Sequence, residues 1–214
     1  MNSEQEQLKA ISDIRNMMER SSRFISLSGL SGVFAGCYAL AGATAAYFYV
    51  GLEFRTSRYW DAARDSLGNI NINWYTFFFA NAFTVLALSL ITAFIFTYRK
   101  AKKQGAAIWD KTAKRLMVNM AIPLIAGGVY ILIIFLRYHF VELVAPSMLV
   151  FYGLALLNAS KYTLNEIRYL GISEIALGLI ACVDIGHGLF YWAIGFGILH
   201  IVYGGMMWYK YERV

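Results

Sequence analysis

The sequence has few of the residues that build disulfide frameworks or metal clusters: two cysteines, two prolines and three histidines among 214 residues. Cys37 and Cys182 fall in long apolar stretches without paired spacing or a neighbouring histidine, so both are predicted to be small buried hydrophobic residues. HExxH, GxSxG, P-loop and dinucleotide-binding patterns are missing. The sequence therefore predicts no cofactor, and an intramembrane enzyme is the least favoured interpretation.

Charged residues are also scarce, at 15% of the chain, whereas hydrophobic residues make up 59%, above the roughly 45–50% of a soluble domain. Nearly uncharged stretches recur, each close to the ~20 residues that a helix needs to cross a ~30 Å hydrocarbon core. They predict transmembrane helices at 24–50, 74–98, 116–136, 140–158, 169–185 and 188–208. The expected fold is all-α: a polytopic membrane protein with six transmembrane helices, embedded in a lipid bilayer.

The positions of lysine and arginine predict how these helices are oriented. Of the 19 basic residues, fifteen would lie on one side of the membrane; the four on the other side are Arg55, Arg58, Arg64 and Arg137. This asymmetry predicts cytoplasmic N- and C-termini in a bacterial inner membrane. The basic segment 99–115 is expected to lie against anionic lipid headgroups, so the net charge of +6 does not indicate nucleic-acid binding.

Residues 1–23 predict a cytoplasmic amphipathic segment that precedes a transmembrane domain of residues 24–214. Ser3 and Glu6 have capping-box spacing, and apolar residues follow at helical intervals, so a short helix at the membrane interface is expected. The segment does not have the pattern of a cleavable signal peptide, and the first span is expected to be retained. The sequence also leaves open a cytoplasmic protein partner for this helix, and a homo-oligomer.

An internal repeat relates several of the predicted helices. GLSGVFAGCYAL, from Gly29, aligns with GISEIALGLIAC, from Gly171, at two glycines, a serine and an alanine. AIPLIAGGVYIL in the third span is a looser copy, and the Tyr-Gly pair at 152–153 matches that at 203–204. We interpret the six spans as three helical hairpins of common ancestry, with chance similarity between glycine-rich helices as the alternative. Small residues let helices approach closely in lipid, so the repeated glycines are expected at helix contacts.

Three hairpins, a glycine recurring in the first helix of each, and the closing sequence GFGILHIVYGGMM resemble the HdeD-like family of bacterial inner-membrane proteins. Residues 169–208 carry most of this resemblance, and 24–42 carry it more loosely. It implies a small six-span fold and a link to acid-stress resistance. The longer N-terminus and two long loops depart from the family pattern, and the resemblance assigns no catalytic or binding residue to this chain.

Few ionisable groups lie within the predicted spans, and Glu174 and His200 stand out among them. A charged side chain at mid-helix costs roughly 2.5–3.5 kcal/mol on insertion scales, so the glutamate requires an explanation. The two residues lie at similar distances from the cytoplasmic ends of their helices, and an antiparallel fifth and sixth span would bring them together in the inner leaflet. Ser31 aligns with Ser173 in the repeat and is expected to join this polar cluster.

The Glu174–His200 pair has three interpretations. It can be a structural hydrogen bond or ion pair between helices, a proton-linked or cation-binding site, or an unpaired glutamate that extends to the interface. The first predicts a non-catalytic stress-response, sensory or scaffold protein. The second predicts a small transporter, channel or proton-linked protein.

A second group of polar residues is expected at the outer side of the membrane. His139 and Glu142 follow the third span, and Asp184 and His187 join the last two. Histidine and carboxylate side chains are ligands of zinc and other transition metals. These four residues therefore form a candidate metal or ion site, with ordinary solvated loop charges as the alternative.

Overall fold

A computed structural model describes residues 7, 9, 24, 27–51, 62–64, 68–103, 105 and 109–213 of the chain. These residues form helices joined by short connections, and the one extended pairing in this part of the chain is an isolated bridge between Arg64 and Ile70. The fold is therefore all-helical. The predicted amphipathic helix in segment 1–23 falls almost entirely outside the described residues.

Six helices follow one another along the described chain: α1 (Gly29–Tyr49), α2 (Ile72–Lys103), α3 (Lys111–Leu136), α4 (Val144–Ala159), α5 (Asn165–Val183) and α6 (Gly188–Tyr211). The Asp110 side chain caps α3 by accepting a hydrogen bond from the backbone N–H of Ala113 at 2.6 Å. Short 3₁₀ turns, Val141–Leu143 and Ser160–Tyr162, flank α4.

Five of the helices are long and apolar enough to cross a membrane, counting α4 together with its flanking turns. The exception is α5, whose 19 residues include Glu166, Arg168 and Glu174. It begins at Asn165, four residues before the predicted span. Pro146 lies in the first turn of α4, where proline breaks no helical hydrogen bond. Together the apolar helices are compatible with an integral membrane protein.

Two helix pairs pack through glycines that the repeat aligns. In the α1–α6 pair, a Cβ added to Gly204 would lie 2.7 Å from the carbonyl oxygen of Gly29. In the α4–α5 pair, a Cβ added to Gly153 would lie 2.6 Å from the carbonyl oxygen of Gly171. At both crossings the backbones are in direct contact, which leaves no room for a side chain. The aligned glycines therefore make equivalent contacts in the two pairs.

The remaining helices, α2 and α3, pack on the outside of these pairs. Asn81 of α2 donates a hydrogen bond to the carbonyl oxygen of Gly42 on α1 at 3.0 Å. Gly127 of α3 lies against the ring of Phe151 on α4. Many large apolar side chains of α2 and α3 are exposed, as expected of surfaces that face lipid. The core therefore lies between α1, α4, α5 and α6.

Hydrogen bonds join α1, α2 and α6 at one end of the bundle. Glu212, just after α6, accepts hydrogen bonds from the hydroxyl of Ser28 at 3.0 Å and the backbone N–H of Gly29 at 2.7 Å. Its carboxylate therefore satisfies donors at the start of α1. Lys100 donates to the same carboxylate at 3.1 Å and to the carbonyl oxygen of Leu27 at 2.6 Å. The first helix starts, and the last helix ends, at this same end.

Another ion pair at this end joins the start of α5 to the end of α6. Lys210 donates to Glu166 Oε1 at 2.6 Å, and the Tyr211 hydroxyl lies 3.2 and 3.1 Å from the two carboxylate oxygens. Burial raises the pKa of Glu166, but hydrogen bonds from Lys210, its own backbone and Tyr211 outweigh burial and hold the pKa below its usual value. Glu166 precedes the predicted span 169–185.

Glu166→Gln should lower thermal stability at neutral pH but not in acid. Because the folded-state pKa of Glu166 is depressed, its charge stabilises the fold above the unfolded-state pKa of about 4.3. That contribution is lost as the pH falls through the lower folded-state pKa. Melting in detergent from pH 7 to about pH 3 checks this, with Glu142→Gln as a control at the other end of the bundle. A Tm difference that persists in acid would contradict the expectation.

Candidate functional site

Glu174 and His200 meet in the middle of the bundle. Glu174 Oε1 lies 3.5 Å from His200 Nδ1, and the side chains are 0% and 9% exposed, respectively. At 1.5 Å per residue, Glu174 is roughly 14 Å from the start of α5 and His200 roughly 17 Å from the end of α6. Both residues therefore lie well inside their helices, because α5 starts at Asn165 and α6 continues to Tyr211.

The pair forms even though α5 and α6 are not each other's main packing partners. α5 packs most extensively on α4, and α6 on α1. Glu174 thus belongs to the α4–α5 pair, and His200 belongs to the α1–α6 pair. The two residues meet at the junction between the two glycine-packed units.

Two further hydrogen bonds hold the imidazole of His200. Nδ1 lies 2.9 Å from the carbonyl oxygen of Gly195, and Nε2 lies 2.7 Å from the hydroxyl of Tyr152. Because a carbonyl oxygen only accepts, we assign the hydrogen to Nδ1; in the neutral ring Nε2 then accepts from the tyrosine. In the imidazolium form Nε2 donates to the same hydroxyl oxygen. The surroundings of His200 therefore accommodate both protonation states.

The carboxylate of Glu174 has fewer hydrogen-bond partners than the imidazole of His200. Both of its oxygens are buried, and neither has a hydrogen-bond partner among the described residues. The 3.5 Å approach to His200 is within ion-pair range but longer than the 2.7–3.2 Å of a typical N–H···O bond. Leaving a buried polar group without a hydrogen bond costs about 1–3 kcal/mol. Such a cost is expected where the group serves a function.

The helix that carries His200 is irregular beside this pair. Residues Ala193–Leu199 of α6 are π-helical, and Gly195 and Gly197 are buried within them. A Cβ on Gly195 would lie 2.5 Å from Glu174 Oε2, and one on Gly197 would strike a leucine of α1. Because these two residues have no side chain, the π-helical segment can pack against both Glu174 of α5 and the leucine of α1. π-Helical segments are rare and occur frequently at functional sites.

Ser31 does not join the pair, because its hydroxyl donates to the carbonyl oxygen of Ser28 at 2.6 Å. Tyr152 completes the cluster instead, and sequence reasoning missed it. The signal that could have found it is the repeat, which aligns Tyr152 with Tyr203. The Tyr203 hydroxyl lies 3.2 Å from Ser173 Oγ, so both aligned tyrosines hydrogen-bond to a residue of the opposite helix pair.

The four outer-side residues are not brought together as one group. Asp184 and His187 are in contact, with Oδ1 and Nδ1 3.1 Å apart, and Tyr191 donates to Asp184 at 2.8 Å. His139 lines a separate cavity of about 100 Å³ near the start of α2, and the backbone of Glu142 lies near Gly188. Across the described ranges, no three histidine, cysteine, aspartate or glutamate residues converge as metal ligands.

None of the family models, curated proteins or solved structures compared with the chain matches it. The functional interpretation therefore rests on the chemistry of Glu174, His200 and Tyr152.

These groups can hold one proton in two arrangements. A carboxylic acid can lie beside a neutral imidazole, or a carboxylate beside an imidazolium. Nδ1 of His200, 3.5 Å from Glu174, carries a hydrogen in both arrangements, and the second hydrogen of the imidazolium lies on Nε2, which faces Tyr152. The hydroxyl of Tyr152 and the carbonyl of Gly195 support the imidazole in both. Glu174 and His200 can therefore hold a proton within the bundle in either arrangement.

Proposed function

We propose that the chain is a six-span protein of the bacterial cytoplasmic membrane, built from three hairpins with both termini in the cytoplasm. Five helices have the length and hydropathy needed to cross a membrane. The sixth, α5, falls short because charged residues lie at its start. The contact of Glu212 with Ser28 supports an even number of crossings, because the first and last helices share an end. The asymmetry of lysine and arginine supports the orientation, and the HdeD-like resemblance agrees with the six-span fold.

We further propose that this protein carries out proton-linked transport, with Glu174 as the proton-binding group, His200 as its partner and Tyr152 as a positioning residue. The observation that carries this proposal is a fully buried carboxylate, without a hydrogen-bond partner among the described residues, at ion-pair distance from a histidine. Ionisable residues inside membrane proteins characteristically pair with one another and mark proton or ion pathways.

The position of the site supports the same function. Many transporters bind their coupling ions near the bilayer midplane, at the interface of repeated units and beside interrupted helices. Here Glu174 lies halfway along α5, at the junction of two equivalent glycine-packed pairs, and faces the π-helical segment of α6. A proton suits the site better than a calcium or magnesium ion, because those cations need about six or more oxygen ligands.

Glu174→Gln should reduce proton flux to the level of protein-free vesicles. Purified protein is reconstituted in liposomes that contain a pH-sensitive dye, a pH gradient is imposed, and the membrane potential is clamped. Glutamine keeps the shape of the side chain but cannot release a proton at neutral pH, so the proton-binding step is lost. His200→Gln should also impair flux, and Tyr152→Phe should impair it less because the imidazole keeps its bond to Gly195.

Glu142→Gln is the matched control, since it removes a carboxylate outside the central cluster and should leave flux unchanged. Each variant is compared at equal yield of monodisperse protein. Full proton flux in a well-folded Glu174→Gln variant would rule out the carboxylate as the proton carrier.

One observation favours the alternative of a non-catalytic stress-response or scaffold protein. The Glu174 side chain is 0% exposed, so in this conformation packed side chains seal it from both ends of the bundle. A purely structural pair would require no access from water. In that case Glu174→Gln would impair folding without any proton flux in the wild-type protein.

A further inference from the structure

The helices divide into two units whose internal contacts are tighter than the contacts between them. The first unit comprises α1, α2 and α6, and the second comprises α3, α4 and α5. Within each unit, backbone-to-backbone glycine crossings leave no space for sliding, as at Gly29 with Gly204 and at Gly153 with Gly171. Between the units, the central contacts include Glu174 with His200 and the hydrogen bonds of the two repeat tyrosines.

Hydrogen bonds of Phe24, just before α1, with Tyr162 and Thr163 join the two units at the end that carries the chain termini.

Two further layers close the junction between the units on this side. The inner layer is a cluster of buried apolar side chains from α4, α5 and α6 that includes Leu170 and Met207. The outer layer is the ion pair of Glu166 with Lys210, reinforced by the Tyr211 hydroxyl. Its two partners belong to different units, so the units cannot separate at this end while the ion pair is intact.

The ion pair of Lys100 with Glu212, at the same end, does not join the two units. Lys100 and Glu212 join α2 to the end of α6, and Glu212 also bonds to the start of α1. All of these helices belong to the first unit. This pair therefore strengthens one unit without joining it to the other.

We propose that Glu166, Lys210 and Tyr211 form a gate that closes the path between the terminal end of the bundle and Glu174. The proposal rests on proton-linked transport and adds how access to the proton-binding site is controlled. When the two units separate at this end, the ion pair breaks, the apolar layer parts, and water reaches the central cluster. When the ion pair re-forms, Glu174 is sealed again.

Thiol accessibility tests the gate. Ser173→Cys places a near-isosteric thiol next to Glu174 in sequence, at a half-buried position where the native hydroxyl faces Tyr203. The native thiols, Cys37 and Cys182, are exposed and not buried as the sequence predicts, and they are replaced by alanine. A charged, membrane-impermeant thiosulfonate is added to the side of reconstituted vesicles that carries the termini. Glu166→Lys should increase the labelling rate about fivefold or more, because a like-charge contact replaces the ion pair and shifts the equilibrium toward separated units.

Two further variants make the test specific. The charge-swapped variant, Glu166→Lys with Lys210→Glu, should restore slow labelling, and Lys100→Glu should leave labelling slow because it breaks a pair within one unit. If Glu166→Lys fails to fold, Glu166→Gln with Tyr211→Phe takes its place as a milder disruption. Unchanged labelling in a folded gate variant, or equally fast labelling after Lys100→Glu, would overturn the gate.

The gate and the proposed function fail in different ways. Absence of Glu174-dependent proton flux would refute proton movement through Glu174 whatever the labelling shows. Normal flux with a labelling rate that is insensitive to Glu166 and Lys210 would refute only the gate.

Discussion

Gly204→Leu should prevent α1 from packing on α6 and leave little folded protein, whereas Gly205→Leu should leave folding nearly unchanged. A Cβ at position 204 would lie 2.7 Å from both the carbonyl oxygen of Gly29 and the backbone nitrogen of Val33, while a Cβ at position 205 would meet nothing within 4 Å. Backbone atoms cannot relieve a clash by changing rotamer, as side-chain atoms can. The helices must therefore separate to accommodate any side chain at 204.

The expected loss is at or above the upper end of the usual range for overpacking. Extra methylenes in a packed core cost about 1–3 kcal/mol, and separating α1 from α6 also breaks the contact between Gly36 and Gly197. Because two backbones must separate, the loss is expected to exceed this range and to approach the total stability of about 5–15 kcal/mol, which would remove most of the folded population. Yield of monodisperse protein and Tm in detergent, compared between the two leucine variants, measure the effect.

Gly153→Leu offers an independent check on the repeat. Its contact with Gly171 is equivalent to that of Gly204 with Gly29, so its effect should match that of Gly204→Leu. Equal Tm values for Gly204→Leu and Gly205→Leu would mean that α1 and α6 do not cross at these glycines.

The glycine contacts show which part of the fold a sequence can predict. A repeated pattern of small residues in apolar helices has one main physical use in lipid, which is close backbone approach, and Gly29, Gly153, Gly171 and Gly204 all serve it. The meeting of Glu174 with His200 was also predictable, because helical rise relates sequence position to depth. The first inference needed no knowledge of which helices are neighbours, and the second needed only that the fifth and sixth spans are antiparallel.

The rest of the site depends on how the helices rotate about one another. Ser31 aligns with Ser173 in the repeat, but its hydroxyl donates to the carbonyl oxygen of Ser28 in the preceding turn. Tyr152 reaches His200 from α4, where the neighbouring Gly153 packs against Gly171 of α5. The π-helical segment arises where Gly195 meets Glu174, and no local sequence pattern specifies that contact.

Glu174→Met should raise the stability of the protein while abolishing proton flux. Methionine has nearly the same length, adapts to irregular gaps, and removes a buried carboxylate that has no hydrogen-bond partner among the described residues. Relief of about 1–3 kcal/mol of uncompensated burial should increase Tm by roughly 2–12 °C for a chain of this size.

His200→Leu should have the opposite effect on stability. Removing the imidazole leaves the hydroxyl of Tyr152 and the carbonyl oxygen of Gly195 without the hydrogen bonds that they make to it. Both groups lie in the packed interior, so the loss should be about 1–3 kcal/mol for each one left unsatisfied. Thermal melting of Glu174→Met, His200→Leu and the wild-type protein in the same detergent measures both the expected rise and the expected fall in Tm.

The directions in which Glu174→Met and His200→Leu change Tm distinguish a structural pair from a functional one. If Glu174 and His200 served only to hold α5 against α6, removing either partner would lower Tm, because the other would remain buried and unpaired. The geometry instead leaves His200 with two hydrogen bonds of its own when Glu174 is removed. A higher Tm for Glu174→Met would therefore mean that the protein retains the carboxylate at the expense of stability, as expected of a group kept for proton binding. A lower Tm for the same variant would favour a purely structural pair in a scaffold protein.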